Sequence, residues 1–503
     1  MKLPLLFTSL ADSATHHPND VAITSETTIW SYAMLWTQIA RFESAVSKLA
    51  LPTGVAVAVT AHKHKTVNTL ALMLALGKQG HTPLAVSPSL GMKAKPTVYA
   101  SARVFCELAA GSDHNYSEVM VVVPANLQAD AAPKVYTAVS CPLMLTTSGS
   151  TGIPKVVELS AEGIHAFFHW GAEYFNLTRG SRVLSYAPLN FDLSLLEVWA
   201  PLAQGATVIL GDTTRATQAG YLRTLIHDQQ PDLIQAVPMF YNLLCPEGDA
   251  YTLVMEGVRH VVFTGDTTPK GLRGRAAAAF PQATFHNIYG CTETNDSFVY
   301  SGDAQAIVRH ERLPLGSPIS GVAYRIVTEE GTELVGAGEG ELHTSTPFLA
   351  HGYSNPSSTA KAFYPEPNSF RTYFRTGDRV VRDTQGQLAL LGRNDLIVKV
   401  RGVRTNLQDI EQALTKMPIV KNAVVIPVND KMAGVVLHAV IEPTVGQKLG
   451  GMAMRVFCAQ HLPQTSIPRR FHLHEGPLPT TSTGKPDRKT IALSIEPQRS
   501  EPA

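Results

Sequence analysis

Cysteine is scarce in this sequence: five in 503 residues, at positions 106, 141, 245, 291 and 458. They are far apart, odd in number and never in CxxC spacing, which excludes a disulfide framework and a zinc ribbon and fits a reducing, cytoplasmic compartment. Excess charge of one sign is also missing, since 42 Lys and Arg face 41 Asp and Glu. Such a balance builds no broad positive field for nucleic acid or for an anionic membrane surface. No uninterrupted apolar run approaches the ~20 residues of a membrane span. The apolar start, Met1 to Phe7, is short and reads on into Ser9 to Asp12, so a first amphipathic helix is expected rather than a signal peptide. Internal repeats and long low-complexity linkers are absent as well.

What is present is a globular composition, 44% hydrophobic and 17% charged, on a chain too long for one core, so two or more domains are expected. Through the first three-quarters, short apolar runs such as Val55–Val59, Val119–Val123, Val208–Leu210 and His260–Phe263 alternate with helical stretches such as Lys65–Gly77 and Ala161–Tyr174. That alternation predicts an α/β fold with buried, mostly parallel, stacked sheets. From about Leu313 the chain breaks into short segments punctuated by Gly331, Gly336, Gly338, Gly340 and Pro347, a β-rich texture. After Asp395 come an apolar strand, a helix near Asn406–Lys416 and a strand near Ala423–Pro427. The expected organisation is a core over 1–394, with its β-rich subdomain at about 313–394, and a small mobile α+β domain over 395–503.

The densest chemical signal runs from Leu145 to Lys155, reading LTTSGSTGIPK. Its glycines let backbone approach a ligand closely, its hydroxyls and amides can hydrogen-bond phosphate oxygens, and Lys155 adds a positive charge. The P-loop spacing GxxxxGK[ST] fits neither here nor at Gly484-Lys485. A bare surface turn is the alternative reading for the stretch alone. Four further segments follow in order: Asn287 to Thr294 (NIYGCTET), Arg375 to Asp378 (RTGD), Gly392 to Asp395 (GRND) with Lys399 to Gly402 (KVRG), and Pro479 to Arg488 (PTTSTGKPDR).

With these segments, from Trp30-Ser31-Tyr32 to Lys485, the chain resembles the adenylate-forming superfamily: acyl-CoA synthetases, firefly luciferase and the adenylation domains of nonribosomal peptide synthetases. The resemblance implies an ATP- and Mg²⁺-dependent ligase that makes an acyl-AMP, releases pyrophosphate and passes the acyl group to a thiol. It implies nucleotide contacts by Thr147, Ser148, Gly149, Ser150, Thr151, Gly152 and Lys155, by Asn287, Tyr289 and Gly290 around the base, and by Asp378 and Arg393 around the ribose. Thr292 is implied on the α-phosphate, Glu293 on Mg²⁺, and Lys485 where negative charge gathers as pyrophosphate leaves. Asp395 falls at the implied hinge, about which the small domain takes two orientations; in the second, the Arg401-Gly402 loop replaces Lys485.

Phe191-Asp192-Leu193-Ser194 resembles the segment in which amino-acid-activating members pair an aspartate with the substrate's α-ammonium; a helix N-cap is the plainer reading of Asp192. Placed on a phenylalanine-activating adenylation domain, the chain offers Leu193, Leu196, Gln235, Val262, Thr264, Ile288, Asp296 and Ser297 as pocket residues. Facing the pocket, Asp296 would favour a small polar or basic side chain, with proline still open; a solvated Asp296 is the alternative reading. Past Lys489 too little sequence follows for a carrier domain, so the implied partner is a separate acyl or peptidyl carrier protein acting in nonribosomal peptide or other secondary-metabolite synthesis. An acyl- or aryl-CoA synthetase and a non-catalytic nucleotide-binding scaffold are the alternatives. Three positions depart from the family pattern: Val156 where glycine is common, Leu390 where an aromatic is common, and Leu342–Gly352, which lacks the usual glycine-rich form.

Overall fold

The computed structural model describes residues 4–60, 65–87, 90, 94–110, 119–123, 141–147, 154–248, 254–400, 403–430, 434–444, 450–462, 466–481 and 485–495. The chain divides into two compact units. The first comprises 1–338, 342–376 and 382–389; the second comprises 339–341, 377–381 and 390–503.

Two large sheets organise the first unit. A nine-stranded sheet runs in the spatial order Ser317–Pro318, Asn295–Gly302, Thr284–Cys291, His260–Thr264, Leu233–Ala236, Arg182–Ser185, Thr207–Leu210, Val21–Thr24 and Ile29–Ser31. Its six central strands pair in parallel and its edges are antiparallel. A seven-stranded sheet follows the order Gly352–Tyr353, Lys155–Leu159, Leu143–Thr147, Thr82–Val86, Ala56–Thr60, Val104–Ala110 and Val119–Val123. One continuous apolar cluster takes Val57, Val59 and Leu145 from the second sheet, Val183, Val208 and Val262 from the first, and Phe42, Leu70, Leu74 and Phe167 from helices. This is the stacked α/β arrangement that the alternating pattern predicts.

The helices form where cap and composition agree. Ser160 accepts the Gly163 amide at 2.9 Å and starts the helix Ala161–Tyr174. Thr66 caps Val67–Lys78 in the same way, and that helix is buried on every side through Val67 to Gly77, which explains its unbroken VNTLALMLALG sequence. A second apolar cluster lies around Ile209, Leu222, Phe240, Tyr241, Phe263 and Phe285. Each fully buried aromatic there contributes roughly 1.5–3 kcal/mol.

Short strands recur at Ala323–Val327, Gly338–Ser345, Phe363–Pro365, Thr372–Arg382 and Leu388–Arg393, which is the β-rich texture expected after Leu313. In the second unit, a hairpin of Ile397–Val400 and Val403–Asn406 precedes a three-stranded sheet of Val420–Asp430, Gly434–Pro443 and Arg470–Leu473. Helices Leu407–Leu414 and Gly451–His461 pack on that sheet through Leu414, Val425, Leu437, Ile441, Met454 and Cys458. Among the described residues no helix is long and apolar enough to cross a membrane.

Candidate active site

Parallel strands set neighbouring side chains in register near their C-terminal ends, the usual ligand side of such sheets. Gln235 lies beside Val262, and Thr264 beside Ile288. All four are buried, as is Leu196. The strand Thr284–Cys291 then turns back antiparallel into Asn295–Gly302, pairing Gly290 with Asp296 and Cys291 with Asn295. The connection Thr292-Glu293-Thr294 is tight: Asn295 has φ 52°, and a Cβ on Gly290 would collide with the Asn295 carbonyl oxygen. A left-handed Asn and a side-chain-free residue are what this turn requires.

The loop after strand Arg182–Ser185 brings Asp192 to that turn. Asp192 Oδ1 accepts the Leu193 amide at 3.0 Å and Oδ2 accepts the Thr292 hydroxyl at 2.9 Å. An N-cap accepts from an amide two or three residues ahead, so the Leu193 bond does not make Asp192 a cap, and its second oxygen reaches across the fold. Gln235 Nε2 donates to the Leu193 carbonyl at 3.2 Å. Ser297, fully buried, places its hydroxyl 3.4 Å from that of Thr294.

Glu293 is buried, and its Oε1 accepts the Tyr353 hydroxyl at 2.5 Å. The Lys155 ammonium stands 4.7 Å over the Tyr353 ring. One aromatic thus contacts both a cation and a carboxylate of the expected site. Burial raises the Glu293 carboxyl above its usual range; the Tyr353 hydroxyl opposes the shift and the Asp192 charge adds to it. Asp296, partly exposed, is pushed up to about 8 by desolvation first and by Asp192 second. Three carboxylates therefore crowd this end of the sheet. A hard divalent cation that shares phosphate oxygens and waters suits Glu293 in such surroundings.

Thr147 ends its strand directly across from Lys155. The expected contacts Ser148, Gly149, Ser150, Thr151 and Gly152 lie outside the described residues, as do Arg401 and Gly402. Asn287 Nδ2 donates to the Pro314 carbonyl at 2.9 Å, and Tyr289 meets Phe298 edge-on with ring centroids 6.1 Å apart.

In the second unit, Arg393 Nη1 donates to Asp378 Oδ1 at 3.0 Å, and Asp378 is buried. Asp395 sits in the 3-10 turn Asn394–Leu396. Lys485 is exposed, and its carbonyl accepts the Thr481 amide at 2.7 Å.

Sequence reasoning missed three residues. Tyr353 is one. Lys65 and Glu197 are the others, both buried. The Lys65 ammonium donates to the Ser185 carbonyl at 2.6 Å, the Ser185 hydroxyl at 2.8 Å and the Ala187 carbonyl at 2.8 Å. Glu197 Oε2 accepts the Ala187 amide at 2.9 Å. Burial lowers Lys65 to about 8 against the pull of Glu197, and raises Glu197 to about 7 against the pull of Lys65. Together they pin the strand end from which the Asp192 loop departs. Glu197 follows Phe191-Asp192-Leu193-Ser194 by three residues, so its place beside that segment is a usable signal; nothing in sequence marks Lys65.

Known proteins bear on this geometry. The AMP-binding enzyme family model matches residues 10–354, and the AMP-binding enzyme C-terminal domain model matches residues 409–485. The L-proline–[L-prolyl-carrier protein] ligase of Pseudomonas fluorescens is 28% identical over 98% of this chain and 100% of its own length. A D-alanine–D-alanyl carrier protein ligase of Listeria monocytogenes is 30% identical over 70% of each chain. Among solved structures, Klebsiella oxytoca NpsA in complex with 3-hydroxyanthranilyl-AMSN superposes with a TM-score of 0.77 at 23% identity, covering 98% of this chain and 99% of the other. The Bacillus subtilis o-succinylbenzoate coenzyme A synthetase bound to ATP and magnesium gives 0.80 at 20% identity over 96% and 99%. These two likenesses establish a shared fold.

Proposed function

Because this chain belongs to the AMP-binding enzyme family, we propose that it activates an amino acid with ATP and loads it onto the phosphopantetheine thiol of a separate carrier protein. The observation that carries the reading is the contact between Asp192 and Thr292. It joins a carboxylate suited to a substrate ammonium to a hydroxyl suited to the α-phosphate. An amino acid held there by its ammonium presents its carboxylate on the phosphate side, which is the geometry that acyl-phosphate formation needs.

In the first half-reaction a substrate carboxylate oxygen attacks the α-phosphorus. A C–O–P anhydride bond forms, the bond from the α-phosphorus to the bridging oxygen breaks, and pyrophosphate leaves. Thr292 holds the α-phosphate, and Lys155 with the hydroxyl-rich sequence after Thr147 holds the outer phosphates. Glu293, oriented by Tyr353, is the residue to hold Mg²⁺, which when bound neutralises phosphate charge. Asp378 and Arg393 take the ribose side, and Tyr289 and Asn287 the base. Lys485 supplies positive charge to the oxygens that become more negative as pyrophosphate departs. In the second half-reaction the thiolate sulfur attacks the acyl carbon, a thioester forms and AMP leaves. The small domain turns about Asp395 between the two steps. The cytoplasm and nonribosomal peptide or other secondary-metabolite synthesis complete the proposal.

Pyrophosphate release measured against a broad panel of amino acids tests the first half, and transfer of the labelled acyl group to holo carrier protein or to coenzyme A tests the second. Dependence on one or a few amino acids with loading of carrier protein is the expected result. Turnover with fatty or aryl acids and coenzyme A would replace this reading by a coenzyme A synthetase, and ATP binding without pyrophosphate release by a scaffold.

A further inference from the structure

Residues 479–481 and 485–487 run side by side, and both legs of this pairing are tied to the second unit. The Thr481 amide donates to the Lys485 carbonyl at 2.7 Å, Thr480 bridges Pro486, and the Asp487 amide donates to the Pro479 carbonyl at 2.8 Å. The first leg is anchored where the Leu478 amide donates to Glu442 Oε2 at 3.1 Å. The second is anchored by Arg488, three residues beyond Lys485. Arg488 Nη1 donates to Glu411 Oε1 and Nη2 to Glu411 Oε2, each at 2.6 Å. Nη1 also reaches the Val425 carbonyl at 3.0 Å, and Glu411 Oε1 accepts the Val425 amide at 2.6 Å. Glu411 lies on the helix Leu407–Leu414, Val425 and Glu442 on the three-stranded sheet, all within the second unit.

An ordinary surface ion pair makes little geometric demand. This one is a parallel fork, in which two N–H donors meet two carboxylate oxygens and fix the guanidinium plane. Both backbone groups of Val425 join the fork, so that plane is set relative to the sheet. Between the fork and Lys485 stand only Asp487, whose amide is bonded, and Pro486, whose ring fixes φ. Little backbone freedom is left on that route, and the exposed lysine side chain starts from a defined point. The apolar core of the small domain, from Leu407, Ile410 and Leu414 to Met454 and Cys458, takes nothing from Arg488. A cation that stabilises a transition state acts through its distance from the charge it offsets, so a loosely held lysine loses effect.

We infer that Glu411 and Arg488 are positioning residues for Lys485, their fork setting the point from which its ammonium reaches the reacting phosphate. The inference rests on the proposed role of Lys485 and adds the two residues that aim it.

The test follows both half-reactions, with the best amino acid of the panel, in full-length Arg488→Gln, Arg488→Lys and Glu411→Gln, alone and combined with Lys485→Ala. Adenylate formation, read as pyrophosphate release, is expected to slow by roughly 10- to 100-fold in Arg488→Gln and Glu411→Gln, the scale of a slightly misplaced catalytic group. Arg488→Lys keeps the charge without the fork; a loss of about 10-fold is expected, and this variant decides where Arg488→Gln does not fold. Transfer from chemically prepared aminoacyl-AMP to holo carrier protein or coenzyme A is expected to persist in all three. On the Lys485→Ala background the same substitutions are expected to add no further loss, because the group they aim is gone. Additive losses would overturn the inference, and so would unchanged adenylate formation in the single variants. Loss of both half-reactions together would also overturn it, making the fork a strut of the small domain. An undiminished rate in Lys485→Ala itself sinks the proposed role of Lys485 and the inference with it; no pyrophosphate release with any amino acid sinks the proposed function.

Discussion

The hydroxyl of Thr292 donates to Oδ2 of Asp192 across 2.9 Å, although the two residues are 100 positions apart. The side chain expected to meet the α-phosphate therefore also orients the carboxylate expected to meet the substrate's ammonium. Under the proposed function, binding of the acid and binding of the nucleotide would be linked through one hydroxyl.

Removing that link should damage acid binding as well as chemistry. Thr292→Val is expected to raise KM for the amino acid by roughly 10-fold or more, the worth of a hydrogen bond to a charged group, besides lowering kcat. Thr292→Ser keeps the hydroxyl and should recover most of the KM loss. Steady-state pyrophosphate release at saturating ATP reads both parameters; an unchanged KM in the valine variant would mean that Asp192 needs no such support.

The proposed function assigns Lys485 to the first half-reaction alone. Lys485→Ala should slow adenylate formation by roughly 10²–10³-fold, the scale of one lost electrostatic contact to the transition state. Transfer from a chemically prepared aminoacyl-AMP to holo carrier protein should persist in the same variant. Equal losses in both assays would remove the case for a small domain that swaps its residues between steps.

Tyr353 supports Glu293 from behind. Tyr353→Phe keeps the ring under Lys155 and deletes only the hydroxyl that Glu293 accepts. The magnesium concentration for half-maximal pyrophosphate release should rise about 10-fold, as is usual when a residue orienting a metal-binding carboxylate is lost. A magnesium titration of both proteins checks this; superimposable curves would assign Glu293 another task.

Stability should fall in mild acid because of His286. This buried imidazole is held 3.1 Å from His260, and burial, then His260, lowers it to about 3. Its folded pKa lies below the unfolded one of 6.5, so the unfolded chain binds the extra proton; stability is full above pH 6.5 and is lost as pH falls towards 3. At about 1.4 kcal/mol per pH unit, His286 accounts for roughly 2 kcal/mol between pH 6.5 and 5. Urea unfolding at several pH values should show this slope in the wild type and a shallower one in His286→Gln.

The sequence exposed those parts of the fold and site that are written locally. Ala161–Tyr174 was legible because Ser160 caps it and its apolar residues follow a helical period. The site motifs were legible because Thr292 and Glu293 sit on one turn, and Gly377 and Asp378 side by side. What stayed hidden depends on meetings between distant segments. Lys65 finds its acceptors 120 and 122 residues away, and Tyr353 finds Glu293 60 residues away. A lysine in a helix-leading loop or a tyrosine beside a glycine carries no mark of such a partner. The π-helical turn Leu195–Trp199 was hidden for a related reason: LLEVW is apolar around one acid, and only the buried setting of Glu197 gives that acid a role.

Lys65 and Glu197 clasp the backbone at Ser185 and Ala187 and the Ser185 hydroxyl, and Glu197 also meets the Gln235 side chain. Frame and lining therefore meet at Gln235. Under the proposed function, exchanging Leu193 or Asp296 should retune which acid is admitted, while Gln235, tied to the clasp, keeps its place. Retargeting this chain to a new acid is best begun at those two residues, with the clasp left untouched.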